Sequence, residues 1–421
     1  MKIAVVGGGS TYTPELVEGL ANRDDRLRAD ELVLLDIDRE RLDVVGGLAG
    51  RMLSRLGWGG RLTLTTDTDA AIDGADFVVV QLRVGGQTAR LVDETLPLRF
   101  GTIGQETTGA GGFAKALRTV PVVLDLAERV SRRAAPGAWL VDFTNPVGIV
   151  TQALLDEGHH AIGLCNVAIG LQRRLAVRFG VSPDRVELEH VGLNHLSWER
   201  AVRVDGVDRL PELIATDADG MGALTGLPGD LVRAQGAIPS YYLRYYYAFD
   251  EVLAEERDGH TRADEVIDIE RRLLEMYRDP ALTEKPALLA DRGGAFYSEA
   301  AAQLIASLRD GAGDVQVVDI RNDGALPGLP DDAVVEIPAR IDRDGAHALP
   351  QQPLAPDLLG LVQAVKAYER LAVRAALTGE VDVARRALMA NPLVGQWGRA
   401  GELVEAIIEA NGRYLPRFMP G

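Results

Sequence analysis

The stretch that decides the fold is MKIAVVGGGSTYTP, which occupies residues 1–14. Lys2–Val6 is a short apolar run rich in β-branched residues, and it predicts a strand buried on both faces of a parallel sheet. The three glycines at positions 7–9 allow a sharp turn and a close approach of the backbone to a ligand. Thr13 is a candidate N-cap, and Pro14 is a candidate first residue of the following helix. A glycine turn that leads into a helix N-terminus is typical of a phosphate or pyrophosphate site.

The second predicted strand supplies an acid where dinucleotide-binding folds bind ribose. It covers residues 31–35 and is followed by Asp36, close to the acid of the Rossmann fingerprint. The glycine pattern is incomplete, because Tyr12 stands at the third glycine position of G-x-G-x-x-G. A turn that only joins strand to helix is the alternative, but together with Asp36 the turn predicts an NAD site. Its predicted cofactor-binding residues are Gly7, Gly8, Gly9, Ser10, Thr11 and Asp36.

The composition argues against several classes of function. The chain has 421 residues and a formal net charge of -17, which argues against a nucleic-acid surface. Cys165 is its single cysteine, so no intramolecular disulfide can form, as suits a reducing cytoplasm. The chain enters a strand directly without a secretory signal, and no apolar run approaches the ~20 residues that cross a bilayer. We therefore expect a cytoplasmic protein that binds neither nucleic acid nor membranes.

Strands and helices alternate over the first part of the chain. The order β-α-β-α-β up to residue 81 is the signature of a doubly wound parallel sheet, so the predicted fold class is α/β. A glycine-rich tract at residues 101–113 predicts a functional loop, with a helix at 115–134. We predict a Rossmann-like NAD-binding domain at residues 1–165, followed by an α+β domain for substrate, metal and oligomerisation at 166–421. This architecture is like that of malate and lactate dehydrogenases.

Polar residues follow several predicted strands, at the carboxyl ends where open α/β sheets bind ligands. Arg83 and Arg90 follow one such strand, Asn145 follows the next, and Cys165 and His195 follow two others. Ordinary structural roles are the alternatives: surface arginines, a turn asparagine before proline, a small buried thiol and a hydrogen-bonded histidine. Cys165 and His195 could also share one divalent metal.

The densest aromatic cluster is YYLRYYY at residues 241–247, in a chain with 5% aromatic residues. Tyrosines at this density are consistent with a helix packed in the core or in an interface. They are equally consistent with a tyrosine that acts as a base near a metal or another cation. Composition alone leaves both interpretations open.

A series of short motifs extends along the whole chain: GGGSTYTPEL at 7–16, RVGG at 83–86, GQET at 104–107, NP at 145–146, CN at 165–166, GLNH at 192–195 and RGGA at 292–295. In this order they resemble the NAD- and metal-dependent glycoside hydrolases of family 4. The resemblance is closest to the 6-phospho-β-glucosidase branch of that family. Any one motif alone would be a weak signal, whereas the ordered set is a strong one.

The resemblance implies a role for each matching residue. Cys165 and His195 would bind Mn²⁺ or another divalent metal, and Tyr242 would be the catalytic base, with Tyr241 as the alternative. Glu106 would lie near that base and raise its basicity. The implied substrate-binding residues are Arg90, Asn145, Asn166 and Arg292, with the phosphate as one candidate contact of Arg292.

The implied reaction is a redox route, unlike the two-carboxylate route of most glycosidases. NAD⁺ takes a hydride from C3 of the sugar, and the metal polarises the resulting ketone. Tyr242 then removes the acidic C2 proton, the aglycone leaves, water adds at C1, and NADH returns the hydride. A tyrosine normally titrates near ~10, so a base at this position needs a nearby cation, which the metal supplies.

Asn166 favours a β-linked substrate, such as cellobiose 6-phosphate. Branches of the family that act on α-linked phosphoglucosides have an acid at this position, and an asparagine cannot protonate a leaving group. The alternatives are a family 4 α-glycosidase (6-phospho-α-glucosidase or α-galactosidase), a malate- or lactate-type NAD-dependent dehydrogenase, and a non-enzymatic sensor of sugar phosphates or dinucleotides. The resemblance also implies a homodimer or homotetramer.

Overall fold

The computed structural model describes residues 1–294 and 296–419; Ala295, the last residue of the RGGA motif, and residues 420–421 lie outside the described ranges. The strands are β1 (Lys2–Val6), β2 (Glu31–Leu35), β3 (Arg61–Thr65), β4 (Phe77–Val80), β5 (Trp139–Asp142), β6 (Ala161–Gly163), β7 (Val186–Leu193), β8 (Leu196–Val204), β9 (Val207–Asp208), β10 (Ile238–Pro239), β11 (Asp314–Arg321), β12 (Val334–Asp342) and β13 (Gly345–Ala348). The α-helices are α1 (Thr13–Ala21), α2 (Asp24–Leu27), α3 (Arg39–Arg55), α4 (Thr68–Ile72), α5 (Gly86–Thr95), α6 (Gly109–Arg133), α7 (Val147–Asp156), α8 (Val167–Phe179), α9 (Leu210–Thr225), α10 (Gly229–Gln235), α11 (Arg244–Tyr247), α12 (Phe249–Asp258), α13 (Arg262–Tyr277), α14 (Tyr297–Asp310), α15 (Pro356–Thr378), α16 (Val381–Ala390) and α17 (Trp397–Asn411).

The strands form a sheet with a parallel half and an antiparallel half. Its order is β10-β8-β7-β12-β11-β6-β5-β4-β1-β2-β3, with β13 beside β12 and β9 beside β8. Strands β1 to β6 pair in parallel, and the direction changes where β6 meets β11. The predicted α/β fold with a doubly wound parallel sheet and following α+β elements is therefore confirmed. The domain boundary at 165/166 stays a prediction; it falls just after β6, at this change of direction.

Helices cover both faces of the parallel strands. Ile3 and Val5 of β1 pack in a core with α1, α3 and α14, whereas Ala4 and Val6 pack in a core with α6 and α7. Burial on both faces accounts for the uninterrupted apolar run that opens the chain. Among the described residues, no helix is long and apolar enough to cross a membrane.

The start of α1 differs from the prediction. The helix begins at Thr13, with Tyr12 in the N-cap position and Pro14 one residue inside. The prediction of Thr13 as a side-chain N-cap is wrong, because its hydroxyl accepts a 2.9 Å hydrogen bond from the Gln81 amide instead. This bond ties the glycine turn to the segment that follows β4.

The glycine-rich tract is only partly a loop. The loop prediction for residues 101–113 is wrong over its last five positions, because α6 begins at Gly109. A Cβ atom at Gly111 would lie 2.4 Å from the Asp93 carbonyl oxygen, and one at Gly112 would lie 2.5 Å from the Thr107 carbonyl carbon. These glycines therefore permit close packing of the first helical turn. The periodicity of the sequence gives no information about this packing.

Candidate functional site

A large cavity opens at the carboxyl ends of the parallel strands. Its volume is about 1540 Å³, and its walls include Gly7 after β1, Arg83 after β4, Asn145 after β5 and Asn166 after β6. This volume exceeds the ~300–1000 Å³ typical of a pocket for one small ligand. The cavity is thus large enough to hold a dinucleotide and a sugar side by side.

One end of the cavity is the glycine turn with its acid. Gly7 has φ +89°, and a Cβ there would lie 2.8 Å from the Gln81 carbonyl oxygen. The Gly9 amide donates a 2.8 Å hydrogen bond to Asp36 Oδ2, and a Cβ at Gly9 would lie 2.7 Å from that oxygen. Ser10 and Asp36 line the cavity. The turn and the acid therefore form one unit at this end.

Two other predicted cofactor residues have structural contacts. Gly8 packs against β2, where an added Cβ would lie 2.8 Å from Leu34 Cβ. Thr11 is fully buried, and its hydroxyl accepts a 2.8 Å hydrogen bond from Arg292 Nε. Both residues shape the turn from behind, and Ser10 between them reaches the cavity.

Tyr12 explains the broken glycine fingerprint. Its hydroxyl donates a 2.6 Å hydrogen bond to the Gly294 carbonyl oxygen and accepts one of 3.1 Å from the Ser298 amide. The residue that replaces the third glycine therefore joins the turn to Gly294, which lies before α14, and to the first turn of α14. No glycine could make these contacts.

Arg292 lies against the glycine turn and lines the cavity. Its guanidinium also pairs with Glu270 at 3.1 Å, and Arg41 pairs with the same carboxylate at 2.9 Å. Burial raises the pKa of Glu270, but these two arginines outweigh it and hold the pKa below its usual value. Burial lowers the pKa of Arg292. Arg292, which is predicted to bind substrate, is therefore held beside the glycine turn.

Tyr242 and Tyr297 line the other end of the cavity, and the predicted metal ligands contact these two tyrosines without lining the cavity themselves. The His195 ring stacks on the Tyr242 ring, with centroids 3.6 Å apart and an interplanar angle of 9°. His195 also has a left-handed backbone, with φ 62°. Cys165 is buried and its sulfur accepts a 3.8 Å hydrogen bond from the Tyr297 hydroxyl. Burial, followed by the electrostatic effect of Cys165, raises the pKa of both Tyr242 and Tyr297, so both tyrosines lie close to this sulfur.

A neighbouring hydroxyl lies against the His195 ring. The Thr107 hydroxyl donates to Gln105 Oε1 at 2.8 Å and lies 3.0 Å from His195 Nδ1. In the tautomer in which Nδ1 donates to this hydroxyl, the Nε2 lone pair is available to a metal. Burial, with a contribution from Lys115, lowers the pKa of His195 to about 3. The ring is therefore neutral, as a metal ligand must be.

The donor set fits a divalent metal held by two protein ligands. Burial, followed by the charge of Glu336, raises the pKa of Cys165 well above its ordinary value, so a metal would displace the thiol proton on binding. Across residues 1–294 and 296–419, no group of three or more His, Cys, Asp and Glu side chains could hold a metal. Imidazole and thiolate accept first-row divalent metals, and two protein ligands leave coordination positions for substrate oxygens.

Tyr242 and Tyr241 have different surroundings. Tyr241 is 42% exposed, and its hydroxyl accepts a 2.9 Å hydrogen bond from Arg244. Tyr242 lies on His195 and lines the cavity. Burial raises the pKa of Tyr242 well above its ordinary value, and Cys165, Tyr245 and Glu106 add to the rise. Tyr242 is therefore the better placed of the two candidates, and it needs a cation to ionise.

Glu106 lies among three basic side chains on the cavity wall. It pairs with Arg83, with Lys115 at 2.7 Å and with Arg90 at 3.3 Å. Burial opposes its ionisation, but these cations hold the pKa of Glu106 well below its usual value. Burial and Arg83 lower the pKa of Lys115 to about 7, while Glu106 opposes that change. Glu94 also pairs with Arg90, at 2.7 Å, so this wall holds three basic side chains against two carboxylates.

The two asparagines predicted to bind substrate both line the cavity. Asn145 Oδ1 is buried and has no hydrogen-bond partner in the described part of the chain. Asn166 is the N-cap residue of α8, directly after Cys165. An orphaned buried amide oxygen is a site that a sugar hydroxyl would satisfy.

Sequence reasoning missed several residues of the site. Lys115 falls inside a predicted helix, although a chain with only four lysines offered a signal there. Its burial in an ion pair could not be read from the pattern. The other missed residues carried no local signal, and they are Thr107, Glu270 and Tyr297.

Comparisons with known proteins cover the whole chain. A family model described as family 4 glycosyl hydrolase matches residues 2–181, and one described as family 4 glycosyl hydrolase C-terminal domain matches residues 190–394. A probable 6-phospho-beta-glucosidase from Bacillus subtilis (strain 168) is 42% identical over 433 aligned positions, which cover 99% of this chain and 98% of that protein. These matches confirm the predicted family resemblance.

Solved structures give the same result. A 6-phospho-beta glucosidase from Thermotoga maritima, with manganese, NAD+ and glucose-6-phosphate, matches with a TM-score of 0.91 and 37% identity, covering 98% of this chain and 99% of that chain. A malate dehydrogenase from Plasmodium falciparum matches with a TM-score of 0.53 and 15% identity, covering 91% of this chain and 99% of that chain. The second likeness concerns the fold alone.

Proposed function

The chain belongs to family 4 of the glycosyl hydrolases, and on that premise we propose that it is a 6-phospho-β-glucosidase. It hydrolyses phosphorylated β-glucosides such as cellobiose 6-phosphate, with NAD⁺ and Mn²⁺ or another divalent metal as cofactors. One observation carries the proposal: Tyr242 stacks on His195 in a cavity whose other end is a dinucleotide turn. The relatives described above, whose names include this activity, support the same substrate class.

The residues of the chain divide the work between the two ends of the cavity. At the first end, the glycine turn and Asp36 hold the dinucleotide. At the second end, Cys165 and His195 hold the metal, and Tyr242 removes the proton from C2 of the sugar. When bound, NAD⁺ supplies a hydride acceptor for C3 and the metal supplies a Lewis acid for the sugar oxygens.

The cavity wall favours an anionic β-linked substrate. The excess positive charge around Glu106 comes from Arg83, Arg90 and Lys115, and such groups bind phosphate through charge-assisted hydrogen bonds. Asn166 follows the metal-binding cysteine and cannot protonate a leaving group. This supports the β-linked substrate over the α-linked one.

An activity panel tests the proposal. We expect hydrolysis of 4-nitrophenyl β-glucoside 6-phosphate only when NAD⁺ and Mn²⁺ are both present, without accumulation of NADH. The α-anomer and the unphosphorylated β-glucoside are the matched comparisons, and both should be poor substrates. Steady NADH production from a hydroxy acid would instead favour a dehydrogenase, and a preference for the α-anomer would favour an α-glycosidase.

Location and assembly are further parts of the proposal. A phosphorylated disaccharide formed during uptake lies in the cytoplasm, so we place the enzyme there. A homodimer or homotetramer follows from the family resemblance. Light scattering on the purified protein measures the assembly, and a monomer at assay concentration would contradict it.

A further inference from the structure

The proposed reaction leaves one proton without a donor. Elimination breaks the bond between C1 and the glycosidic oxygen, and a sugar leaving group needs a proton at that oxygen. Asn166 has no acidic proton, and Tyr242 is engaged at C2. The donor has to be another group on the cavity wall, and its assignment rests on the proposed function.

Most carboxylates of the cavity are paired with cations. Glu106 and Glu270 each contact two or more basic side chains, and those partners hold the pKa of both groups below its usual value. Glu94 pairs with Arg90 at 2.7 Å, and Glu255 pairs with Arg244. A carboxylate that is held in its charged form by a guanidinium or ammonium group is a poor proton donor.

Two aspartates at the dinucleotide end accept hydrogen bonds from backbone amides. Asp36 accepts the Gly9 amide at 2.8 Å, and Asp38 caps α3 by accepting the Arg41 amide. The remaining lining aspartate, Asp125, lies 3.9 Å from Arg129. These side chains belong to the turn or to the surface of α6.

Glu256 of α12 differs from all of these acids. It is half-buried on the cavity wall, and its Oε2 accepts one hydrogen bond, of 2.8 Å, from the Gly104 amide. No ion pair involves Glu256 within the described residues. Burial raises the pKa of Glu256 to about 7. The negative charges of Glu94 and Glu255 add to the rise, whereas the Gly104 hydrogen bond and Arg244 oppose it. A substantial share of the group is therefore protonated at neutral pH.

Glu256 is on the same wall as Tyr242. The Tyr245 ring lies 6.2 Å from the Tyr242 ring. Burial, followed by the charges of Tyr241 and Glu256, raises the pKa of Tyr245. Tyr245 therefore has both the proposed base and this acid in its surroundings. On the facing loop, Gly104 packs so closely that a Cβ would lie 1.9 Å from the Glu94 carbonyl oxygen. The GQET motif therefore holds Glu256 through its glycine and the cationic cluster through Glu106.

We propose that Glu256 is the catalytic acid that protonates the glycosidic oxygen of the aglycone. As Tyr242 takes the C2 proton, that electron pair forms the C1–C2 double bond, the bond from C1 to oxygen breaks, and Glu256 gives its proton to the departing oxygen. The Glu256 carboxylate then takes a proton from the water whose oxygen adds to C1, while Tyr242 returns a proton to C2. Both groups finish the cycle in their starting forms.

A leaving-group series on Glu256→Gln tests this assignment. The amide oxygen can still accept the Gly104 hydrogen bond, so the variant removes the proton and keeps the shape. We expect kcat/KM for cellobiose 6-phosphate to fall by about 100-fold or more. For 2,4-dinitrophenyl β-glucoside 6-phosphate, whose leaving group needs no proton, we expect a change below about threefold. The matched control is Glu251→Gln, an exposed residue of the same helix, which should change neither value by more than about threefold.

The pH profile gives a second readout. Because the acid must be protonated, kcat/KM of the wild-type enzyme for cellobiose 6-phosphate should fall as pH rises through about 7. That decline should be absent in Glu256→Gln with the activated substrate. Equal losses on both substrates, or full activity on both, would overturn the assignment.

Exchange of the C2 hydrogen separates this assignment from the proposed function. Glucose 6-phosphate incubated in D₂O with enzyme, NAD⁺ and Mn²⁺ should gain deuterium at C2 with wild type and with Glu256→Gln alike. If wild type shows no exchange, the proposed function itself fails. If only the variant loses exchange, Glu256 supports the C2 chemistry and its role as the acid of the leaving group is contradicted.

Discussion

The two ends of the cavity are built in different ways. The dinucleotide end comes from residues 7–36, where one glycine turn bonds directly to the acid that follows the neighbouring strand. The proposed metal end takes Cys165 from just beyond β6, His195 from just beyond β7 and Tyr242 from the 3₁₀ helix Tyr241–Leu243 before α11. In the sheet, β6 and β7 are separated by β11 and β12. The proposed cofactor site is thus local in sequence, whereas the proposed catalytic site depends on the whole topology.

Loss of a metal ligand should have the largest effect and should separate the two ends. We expect Cys165→Ser and His195→Ala each to lower hydrolysis by about 10³-fold or more, the equivalent of about 4 kcal/mol of lost Lewis-acid assistance. Affinity for NAD⁺, measured by fluorescence titration, should stay within about twofold, because the turn lies at the other end. Unchanged turnover in either variant would contradict the metal assignment.

Removal of the base should have the next largest effect. We expect Tyr242→Phe to lower kcat by about 10²–10⁴-fold, the usual contribution of a general base. Tyr241→Phe is the matched control, and it should retain most of the activity because this side chain is exposed and bonded to Arg244. Steady-state kinetics on both variants decides between the tyrosines, and the reverse order of effects would make Tyr241 the base.

A smaller effect is expected from Thr107, which contacts the proposed metal ligand His195. Thr107→Val removes the hydroxyl that lies 3.0 Å from His195 Nδ1, and loss of such a partner typically costs 10–100-fold in metal affinity. Titration of Mn²⁺ against activity should show this shift, with kcat recovered at saturating metal. An unaltered Mn²⁺ dependence would show that the tautomer is fixed by another group.

The smallest effect is expected at the dinucleotide end. Asp36→Asn weakens a charged acceptor for both the Gly9 amide and a ribose hydroxyl, so affinity for NAD⁺ should fall about tenfold. The Mn²⁺ dependence should be unchanged. A larger effect on Mn²⁺ than on NAD⁺ would show that the two ends are not independent.

The sequence predicted the parts of this molecule that follow local rules. Buried parallel strands and the turn after β1 were evident from apolar runs and glycines. The strand ends also made Asn145, Cys165 and His195 candidate site residues, and their roles stay predictions. It could not predict that α6 begins at Gly109, because close packing against Asp93 and Thr107 is a tertiary demand.

Two other features were also beyond local rules. The Thr13 hydroxyl forms a hydrogen bond with the Gln81 side chain instead of capping its own helix. A residue type that often caps helices therefore makes a tertiary contact here. Tyr12 breaks the glycine fingerprint, yet its hydroxyl joins the turn to Gly294 and Ser298, which lie far away in the chain. Both depend on segments that only the folded chain brings together.

Hydrolysis of cellobiose 6-phosphate in D₂O tests the central claim most directly. If Tyr242 removes and returns the C2 proton, the glucose 6-phosphate formed should carry deuterium at C2, with no net NADH. The glucose released from the other half of the substrate should carry none and serves as an internal control. Glucose 6-phosphate without deuterium at C2 would show direct displacement at C1 and would contradict the redox route.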